Sequence, residues 1–266
     1  MHHPPQLLGA LDIAGLPCGI ECDDPAFLDR LTRRYADFLS PRPPQLTIEV
    51  DIGRAAFEVP DAGTPYARVG GDRRRITVEG VDFQGVFDEE EQRGRIVQPA
   101  DPAPLETLLT AVYAARLLGE GGCLLHAAAV VREGVAHVFY GPSGSGKTTV
   151  AGLVGDGVVS DEIAMLRRAG TGWTVSGMPW RGTTLTAPLG ALFRLRQAPT
   201  TEFRPLAPVD AVRSLLGCAF FARPDRGEIQ AFLDAAAAMV SRIPIWDMRF
   251  RADRQFWTEL PTAVAV

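Results

Sequence analysis

One short segment constrains this chain more than any other. Residues 141 to 148 read GPSGSGKT and fit the pattern G-x-x-x-x-G-K-[ST] at every fixed position. Glycines let a backbone wrap so that successive N–H groups point at phosphate oxygens, and the positive N-terminal end of a following helix adds to the attraction. The sequence therefore predicts a cradle for a nucleoside triphosphate. Its predicted residues are Gly141, Pro142, Ser143, Gly144, Ser145, Gly146, Lys147, Thr148 and Thr149.

The context of this segment agrees with a phosphate cradle. A predicted apolar strand, Val135–Tyr140, leads into it, and a helix is predicted from Thr148 to about Leu153. Lys147 is the only lysine in the chain, and a compact ammonium suits a crowded phosphate site better than a guanidinium. We expect Lys147 to contact the β- and γ-phosphates as a catalytic residue and the Thr148 hydroxyl to bind Mg²⁺. The expected ligands are ATP and Mg²⁺, with GTP left open as the alternative.

Two acids follow soon after the predicted helix, directly behind the strand-like run Val158–Ser160. Asp161 is predicted to be the general base that takes a proton from an acceptor hydroxyl, with Mg²⁺ binding as its alternative role. Glu162 is a second candidate Mg²⁺ ligand. Because neighbouring side chains on a regular strand point to opposite faces, we expect one acid to leave the site unless the strand ends there.

Three further side chains are candidates. His126 lies on the predicted strand Cys123–Arg132, which forms an antiparallel hairpin with the strand before the cradle. We expect His126 either to stabilise charge near the γ-phosphate or to pack in the core. Arg181 is expected either to neutralise the transferring phosphate as a catalytic residue or to be packed away by Trp180. Arg204 is a possible contact to phosphate or substrate, whereas His137 is interpreted as structural.

The hairpin before the cradle and the early acids resemble the HPr kinase/phosphorylase and ATP-dependent phosphoenolpyruvate carboxykinase superfamily, and most closely the HPr-kinase-like proteins of bacteria. Glu162 stands where that family has aspartate. The similarity covers roughly residues 105 to 260. The matching segments are Leu125–Ala128, Gly141–Thr148, Val159–Glu162, Gly177–Gly182, Phe193–Gln197 and Phe203–Leu206.

The resemblance implies an α/β fold, in which a P-loop core of the HPr kinase/phosphoenolpyruvate carboxykinase type follows a small N-terminal α+β domain. It also implies an ATP- and Mg²⁺-dependent kinase that transfers the γ-phosphate to a serine-type hydroxyl of a protein, peptide or small molecule. The alternative is a nucleotide-binding adaptor or sensor with little turnover, whose N-terminal domain binds a partner. A carboxykinase-like metabolic enzyme ranks last because the chain is short.

The predicted domains are residues 1–100 and 101–266. In the first, a helix is expected from Asp24 to Leu39, followed by a small sheet with the acidic run Asp88–Glu91 in a hairpin loop. The predicted strands are Leu46–Ile52, Arg75–Glu79, Val81–Phe87 and Arg93–Gln98. In the second, the remaining predictions are helices over Leu105–Leu118, Val209–Phe221 and Ile229–Val240, a strand over Ile243–Phe250 and a short helix over Gln255–Leu260.

Composition indicates which classes of partner and which compartment to expect. The net charge of −5 lacks the basic excess of most nucleic-acid-binding domains, so no nucleic-acid partner is expected. No apolar run approaches the length of a membrane span, and Met1–Pro4 lacks the layout of a signal peptide. The scattered Cys18, Cys22, Cys123 and Cys218 are predicted to be reduced, buried thiols of a cytoplasmic protein. Whether the chain forms a homo-oligomer is left open.

Overall fold

The structure, a computed structural model, describes residues 6–53 and 66–261. These residues form a mixed α/β fold with two eight-stranded sheets and five α-helices, which confirms the predicted α/β class. The expectation for Met1–Pro4 falls outside the described residues. The chain divides into two compact units, Met1–Ala115 with Phe221–Pro224 and Arg116–Phe220 with Asp225–Val266. The first unit thus includes a short later segment that the predicted division at residue 100 does not contain.

The first unit is built on a sheet in which the strand order is β3-β1-β2-β4-β8-β7-β6-β5. Strands β2, β4 and β8 run parallel, and the other neighbours run antiparallel. The strands are β1 (Gln6–Ile13), β2 (Leu16–Cys22), β3 (Leu39–Ser40), β4 (Leu46–Ile52), β5 (Ala67–Gly71), β6 (Arg75–Gly80), β7 (Gln84–Asp88) and β8 (Arg93–Gln98). The acidic run ends β7 and forms the turn to β8, as predicted for a hairpin loop.

Two boundaries in this unit differ from the prediction. The helix α1 (Pro25–Arg34) begins at the expected place, where the Asp24 carboxylate accepts hydrogen bonds from the N–H groups of Ala26 and Phe27. It ends well before Leu39, because Leu39 enters strand β3. The strand predicted from Val81 begins only at Gln84, since the Gly80 N–H donates to Phe83 O at 3.0 Å and closes a turn.

Helix α2 (Pro102–Gly119) begins about one turn before the predicted start at Leu105. The prolines of its first turn lack N–H groups that would have no partner within the helix, so they are tolerated there. The Asp101 carboxylate accepts a hydrogen bond from the Ala103 N–H at this end. No helix among the described residues is long and apolar enough to cross a membrane.

The second unit contains the strands β9 (Cys123–Arg132), β10 (Val135–Tyr140), β11 (Val158–Ser160), β12 (Ile163–Ala169), β13 (Gly172–Gly177), β14 (Thr186–Gln197), β15 (Glu202–Pro205) and β16 (Ile245–Phe250). Its helices are α3 (Lys147–Val154), α4 (Pro208–Leu216) and α5 (Arg226–Val240). The hairpin of β9 and β10 and the strand β11 have the predicted bounds.

Four predictions in the second unit are wrong in extent, and one of them is the helix expected over Ile229–Val240, which begins at Arg226. The helix expected over Val209–Phe221 ends at Leu216, because residues 218–220 pair with β9 instead. The His126 N–H donates to Cys218 O at 2.7 Å, and the Phe220 N–H donates to Leu124 O at 3.0 Å. The last strand starts at Ile245 rather than Ile243, and the closing helix is a 3₁₀ turn over Arg254–Trp257.

The hydrogen-bonded ladder of this sheet closes on itself. The first part of β9 pairs with β12 and its second part with β10, while β14 pairs first with β13 and then with β10. Because β12 and β13 also pair, these five strands form a ring of neighbours. Strands β10, β14 and β16 are parallel, so their carboxyl ends meet at one edge, where ligands commonly bind in open α/β sheets.

Candidate functional site

The loop between β10 and α3, residues Gly141–Gly146, is called the cradle loop here. Gly146 occupies the N-cap position of α3 at φ 107°, a left-handed conformation that favours glycine. It supplies no side chain to cap the helix, so the first-turn N–H groups stay open to a ligand. At Gly141, an added Cβ would lie 3.1 Å from Leu195 O, so the loop needs glycine to pass close to β14.

Lys147 is buried at the first position of α3. Its Nζ donates to the carbonyl oxygens of Gly141 at 2.9 Å and Pro142 at 3.0 Å. Burial lowers the pKa of this ammonium, and the nearby Glu162 opposes the shift. The backbone of the cradle loop therefore binds the Lys147 ammonium. Gly141 and Pro142 contact it through their carbonyl groups rather than through side chains.

The two acids lie together because β11 ends at Ser160 and β12 begins at Ile163. Asp161 and Glu162 form the connection between the two strands, where the alternation of a regular strand no longer applies. Both line the same pocket as Lys147. The sequence predicted that one acid would leave the site unless the strand ended here. The strand does end here, and both acids line the pocket.

Arg181 lies between β13 and β14, and the segment Gly177–Gly182, which begins with the last residue of β13, is called the arginine loop here. A Cβ added to Gly177 or Gly182 would lie 2.3 or 2.6 Å from Val159 O, so both glycines allow this loop to pack against β11. The Arg181 Nε lies 2.9 Å from Glu162 Oε2, and about half of the arginine side chain is exposed. Arg181 is therefore paired with an acid and not packed away.

His126 lies in the middle of β9 and also lines the pocket. Its ring meets Phe220 edge to face, with 6.3 Å between ring centroids. Burial and the charge of Lys147 lower the pKa of the imidazole, while Glu162 opposes the shift. The ring is accordingly neutral at pH 7 and can both donate and accept a hydrogen bond. His126 therefore both lines the pocket and packs against a neighbouring aromatic ring.

These groups surround one pocket of about 360 Å³. Its lining residues are His126, Ser143, Gly144, Gly146, Lys147, Thr148, Thr149, Asp161, Glu162 and Gln197. The predicted cradle residue Ser145 has a buried side chain and does not line the pocket. Arg204 lies on β15, where it pairs with Glu202 at 3.0 Å, and it does not line this pocket.

Gln197 is the lining residue to which the sequence assigned no role, although it ends the matching segment Phe193–Gln197. It is the last residue of β14, and its Nε2 donates to Gly144 O at 2.6 Å, which supports the tip of the cradle loop. Only the parallel pairing of β14 with β10 brings the two segments together. Since this pairing spans some fifty residues of sequence, no local pattern marks Gln197 as part of the site.

The donor groups present fit Mg²⁺ brought by a nucleotide. Within residues 6–53 and 66–261, no group of three or more His, Cys, Asp and Glu side chains is arranged to hold a metal ion. Mg²⁺ commonly takes one or two carboxylates and completes its shell with substrate phosphates and water. The Thr148 hydroxyl and the carboxylates of Asp161 and Glu162 line the pocket and are hard oxygen donors of this kind.

A comparison of the sequence with models of known protein families gave no match, and a comparison with curated proteins gave none either. The support for a function therefore comes from the groups that surround the pocket.

Proposed function

We propose that this protein is an ATP- and Mg²⁺-dependent kinase that transfers the γ-phosphate to a serine-type hydroxyl of a protein, peptide or small molecule. In this proposal the second unit is a P-loop core of the HPr kinase/phosphoenolpyruvate carboxykinase type. The observation that carries it is the single pocket that joins an uncapped helix N-terminus, an ammonium, two carboxylates and an imidazole. Phosphoryl transfer depends mainly on positioning and charge stabilisation, which such a set of groups supplies.

The first step is binding of the triphosphate. The N–H groups of the first turn of α3 hold phosphate oxygens, and Lys147 exchanges its two loop carbonyls for the β- and γ-phosphates. Thr148, Asp161 and Glu162 are the residues that would hold Mg²⁺, which when bound neutralises charge on the phosphates. The neutral His126 donates or accepts a hydrogen bond at the same wall of the pocket.

The second step is transfer. Asp161 accepts the proton of the acceptor hydroxyl while that oxygen forms a bond to the γ-phosphorus and the bond to the β-phosphate oxygen breaks. The products are ADP and the phosphate monoester, and the proton remains on the Asp161 carboxyl. Arg181 starts from its pair with Glu162, from which its guanidinium can turn toward the charge that develops on the transferring group.

Binding is tested by isothermal titration of the protein with a non-hydrolysable ATP analogue, with and without Mg²⁺. We expect Mg²⁺-dependent binding in the native protein and at least about tenfold weaker binding in Lys147→Ala, because the variant removes the one ammonium of the cradle. Arg204→Ala is the matched control, since it removes an exposed cation of the same unit that does not line the pocket. An absence of binding by the native protein would contradict the proposal.

A second candidate function is a nucleotide-binding adaptor or sensor with little turnover. One observation favours it: the charges needed for transfer are already held by the protein, Lys147 by carbonyls and Glu162 by Arg181. A sensor can use these contacts as its nucleotide-free state.

The substitution Asp161→Asn separates the two functions. In a kinase we expect about 100-fold slower transfer of labelled γ-phosphate from ATP, to water or to a hydroxyl acceptor, with ATP affinity retained, because the amide cannot accept the proton. Asp156→Asn is the control, since it makes the same change at an exposed position just before β11. Equal rates in the two variants and the native protein would favour the sensor.

A further inference from the structure

Ser160, the last residue of β11, has a fully buried side chain. Its Oγ donates to Arg181 O at 2.8 Å. The same oxygen accepts hydrogen bonds from the N–H groups of Ile163 at 2.9 Å and Glu162 at 3.3 Å. A serine hydroxyl has one donor and two acceptor positions, so these three contacts use its full capacity.

The three backbone groups belong to two separate segments. The Glu162 N–H lies in the connection that carries both acids and the Ile163 N–H at the start of β12, whereas Arg181 O belongs to the arginine loop. One further backbone hydrogen bond joins these segments, from the Asp161 N–H to Arg181 O at 3.4 Å, and this distance is long for such a bond. The Arg181–Glu162 ion pair joins the side chains, whereas the bond from the Ser160 hydroxyl to Arg181 O, at 2.8 Å, is shorter than the direct backbone bond from the Asp161 N–H to the same oxygen.

The rest of the contact is fixed by close backbone packing. Gly177 and Gly182 pack against Val159 O, the Thr183 N–H donates to that oxygen at 2.9 Å, and the Thr183 Oγ1 donates to Val158 O at 3.0 Å. These contacts hold the arginine loop along β11 up to the residue before Ser160. Beyond Val159, the contact continues to the backbone of the two acids through the long Asp161 N–H bond to Arg181 O and through the three shorter or similar bonds of the Ser160 hydroxyl.

We infer that Ser160 is a positioning residue of the pocket: its hydroxyl fixes the backbone that carries Asp161 and Glu162 relative to the backbone that carries Arg181. Ser160 touches no nucleotide and acts through these three side chains. The inference rests on the proposed function, since its catalytic consequence requires that the two carboxylates meet Mg²⁺ and the phosphates. The placement itself does not depend on that function and can be measured separately.

The placement is tested by amide hydrogen exchange of the nucleotide-free protein, followed residue by residue by NMR. In Ser160→Ala the N–H groups of Glu162 and Ile163 lose their acceptor, and we expect their exchange to be at least about tenfold faster. The matched control is Ser176→Ala, which removes another buried serine hydroxyl, one that lies 2.9 Å from Thr186 Oγ1. Unchanged exchange at Glu162 and Ile163 in Ser160→Ala would overturn the inference.

The consequence for the site is tested by titration of the non-hydrolysable ATP analogue with and without Mg²⁺. We expect Ser160→Ala to lose about tenfold of the Mg²⁺-dependent affinity, as is usual when a group that supports metal ligands is removed. Its affinity without Mg²⁺ should stay within about twofold, because the cradle loop is untouched, and Ser176→Ala should match the native protein. Equal loss with and without Mg²⁺ would mark Ser160 as a general structural residue and overturn the inference.

Two further comparisons cover the cases in which Ser160→Ala does not fold or the native protein does not bind the analogue. If Ser160→Ala does not fold, Ser160→Thr and Ser160→Cys replace it, since threonine keeps the hydroxyl and cysteine offers only a weak donor and acceptor. The inference then predicts slower exchange and tighter Mg²⁺-dependent binding in the threonine variant, and the reverse order would overturn it. If the native protein shows no Mg²⁺-dependent binding, the proposed function fails, whereas the exchange experiment still decides the placement.

Discussion

At the scale of single residues, the two histidines of the β9–β10 hairpin differ in what surrounds them. His126 lines the pocket and is close to Lys147 and Glu162. His137 is buried between the rings of Phe193 and Trp257, with centroid distances of 5.9 and 6.0 Å. The sequence interpretation of His137 as structural agrees with this setting. The same residue type thus serves a pocket on one strand and a core on the next.

His137 makes the stability of the protein depend on pH. Burial, and then the positive charge of Arg132, lower the pKa of this imidazole from 6.5 to about 4, with Glu133 opposing. The unfolded chain therefore binds a proton that the folded chain excludes between these values. The contribution of the neutral His137 to the free energy of unfolding is fully present above about pH 6.5. It is lost as the pH falls toward 4, and the loss is at most about 3 kcal/mol.

The check is urea unfolding of the native protein and of His137→Phe at pH 7.5 and pH 5. The variant has no imidazole at this position, so its stability should fall about 2 kcal/mol less than that of the native protein between these pH values. Equal losses in the two proteins would show that His137 is already free to bind its proton in the fold.

At the scale of elements, the position of Arg181 depends on two glycines rather than on the arginine itself. Gly177 ends β13 and Gly182 closes the arginine loop, and each brings its backbone against Val159 O. This contact decides where the loop lies, and the loop decides that Arg181 meets Glu162. A sequence pattern shows the glycines but does not show which strand they approach.

Gly182→Ala tests this contact. The added Cβ would lie 2.6 Å from Val159 O and 2.7 Å from the Gly177 Cα, so backbone must move. We expect a loss of about 1–3 kcal/mol in the free energy of unfolding, the usual cost of overpacking. Gly172→Ala at the start of β13 is the control, since its Cβ would meet only Ala169 O at 4.0 Å. Equal melting temperatures for the two variants would contradict the packing argument.

At the scale of the whole molecule, local patterns predicted some strands of each unit and missed others: β4 and β8 of the first unit have the predicted bounds, whereas β12 to β15 of the second unit were not predicted. The hairpin of β9 and β10 and the strand β11 have clear turn residues at their ends, and their bounds were predicted correctly. Strands β1 and β2 were not predicted. In β2 nearly every residue is buried, so the alternation that usually identifies a strand is missing.

The candidate site shows the same division. The cradle loop, Lys147, Thr148 and the two acids could be predicted because they are neighbours in sequence that follow a known pattern. Gln197 and Ser160 lie in segments that the resemblance named, but their roles could not be predicted, because these depend on pairing and packing between distant segments. The end of α4 was missed for a related reason, since residues 218–220 pair with β9 although their sequence allows a helix.

The closed ring of β9, β10, β14, β13 and β12 has a consequence for contacts with other chains. In such a ring each member has partners on both sides, so none of these strands presents a long row of unpaired backbone groups to a passing peptide. At one edge of the sheet, β15 spans only Glu202–Pro205, with charged side chains at Glu202 and Arg204 and a final proline without an N–H group. Strand addition is thus discouraged there, and the second unit gains protection against aggregation from its backbone pairing.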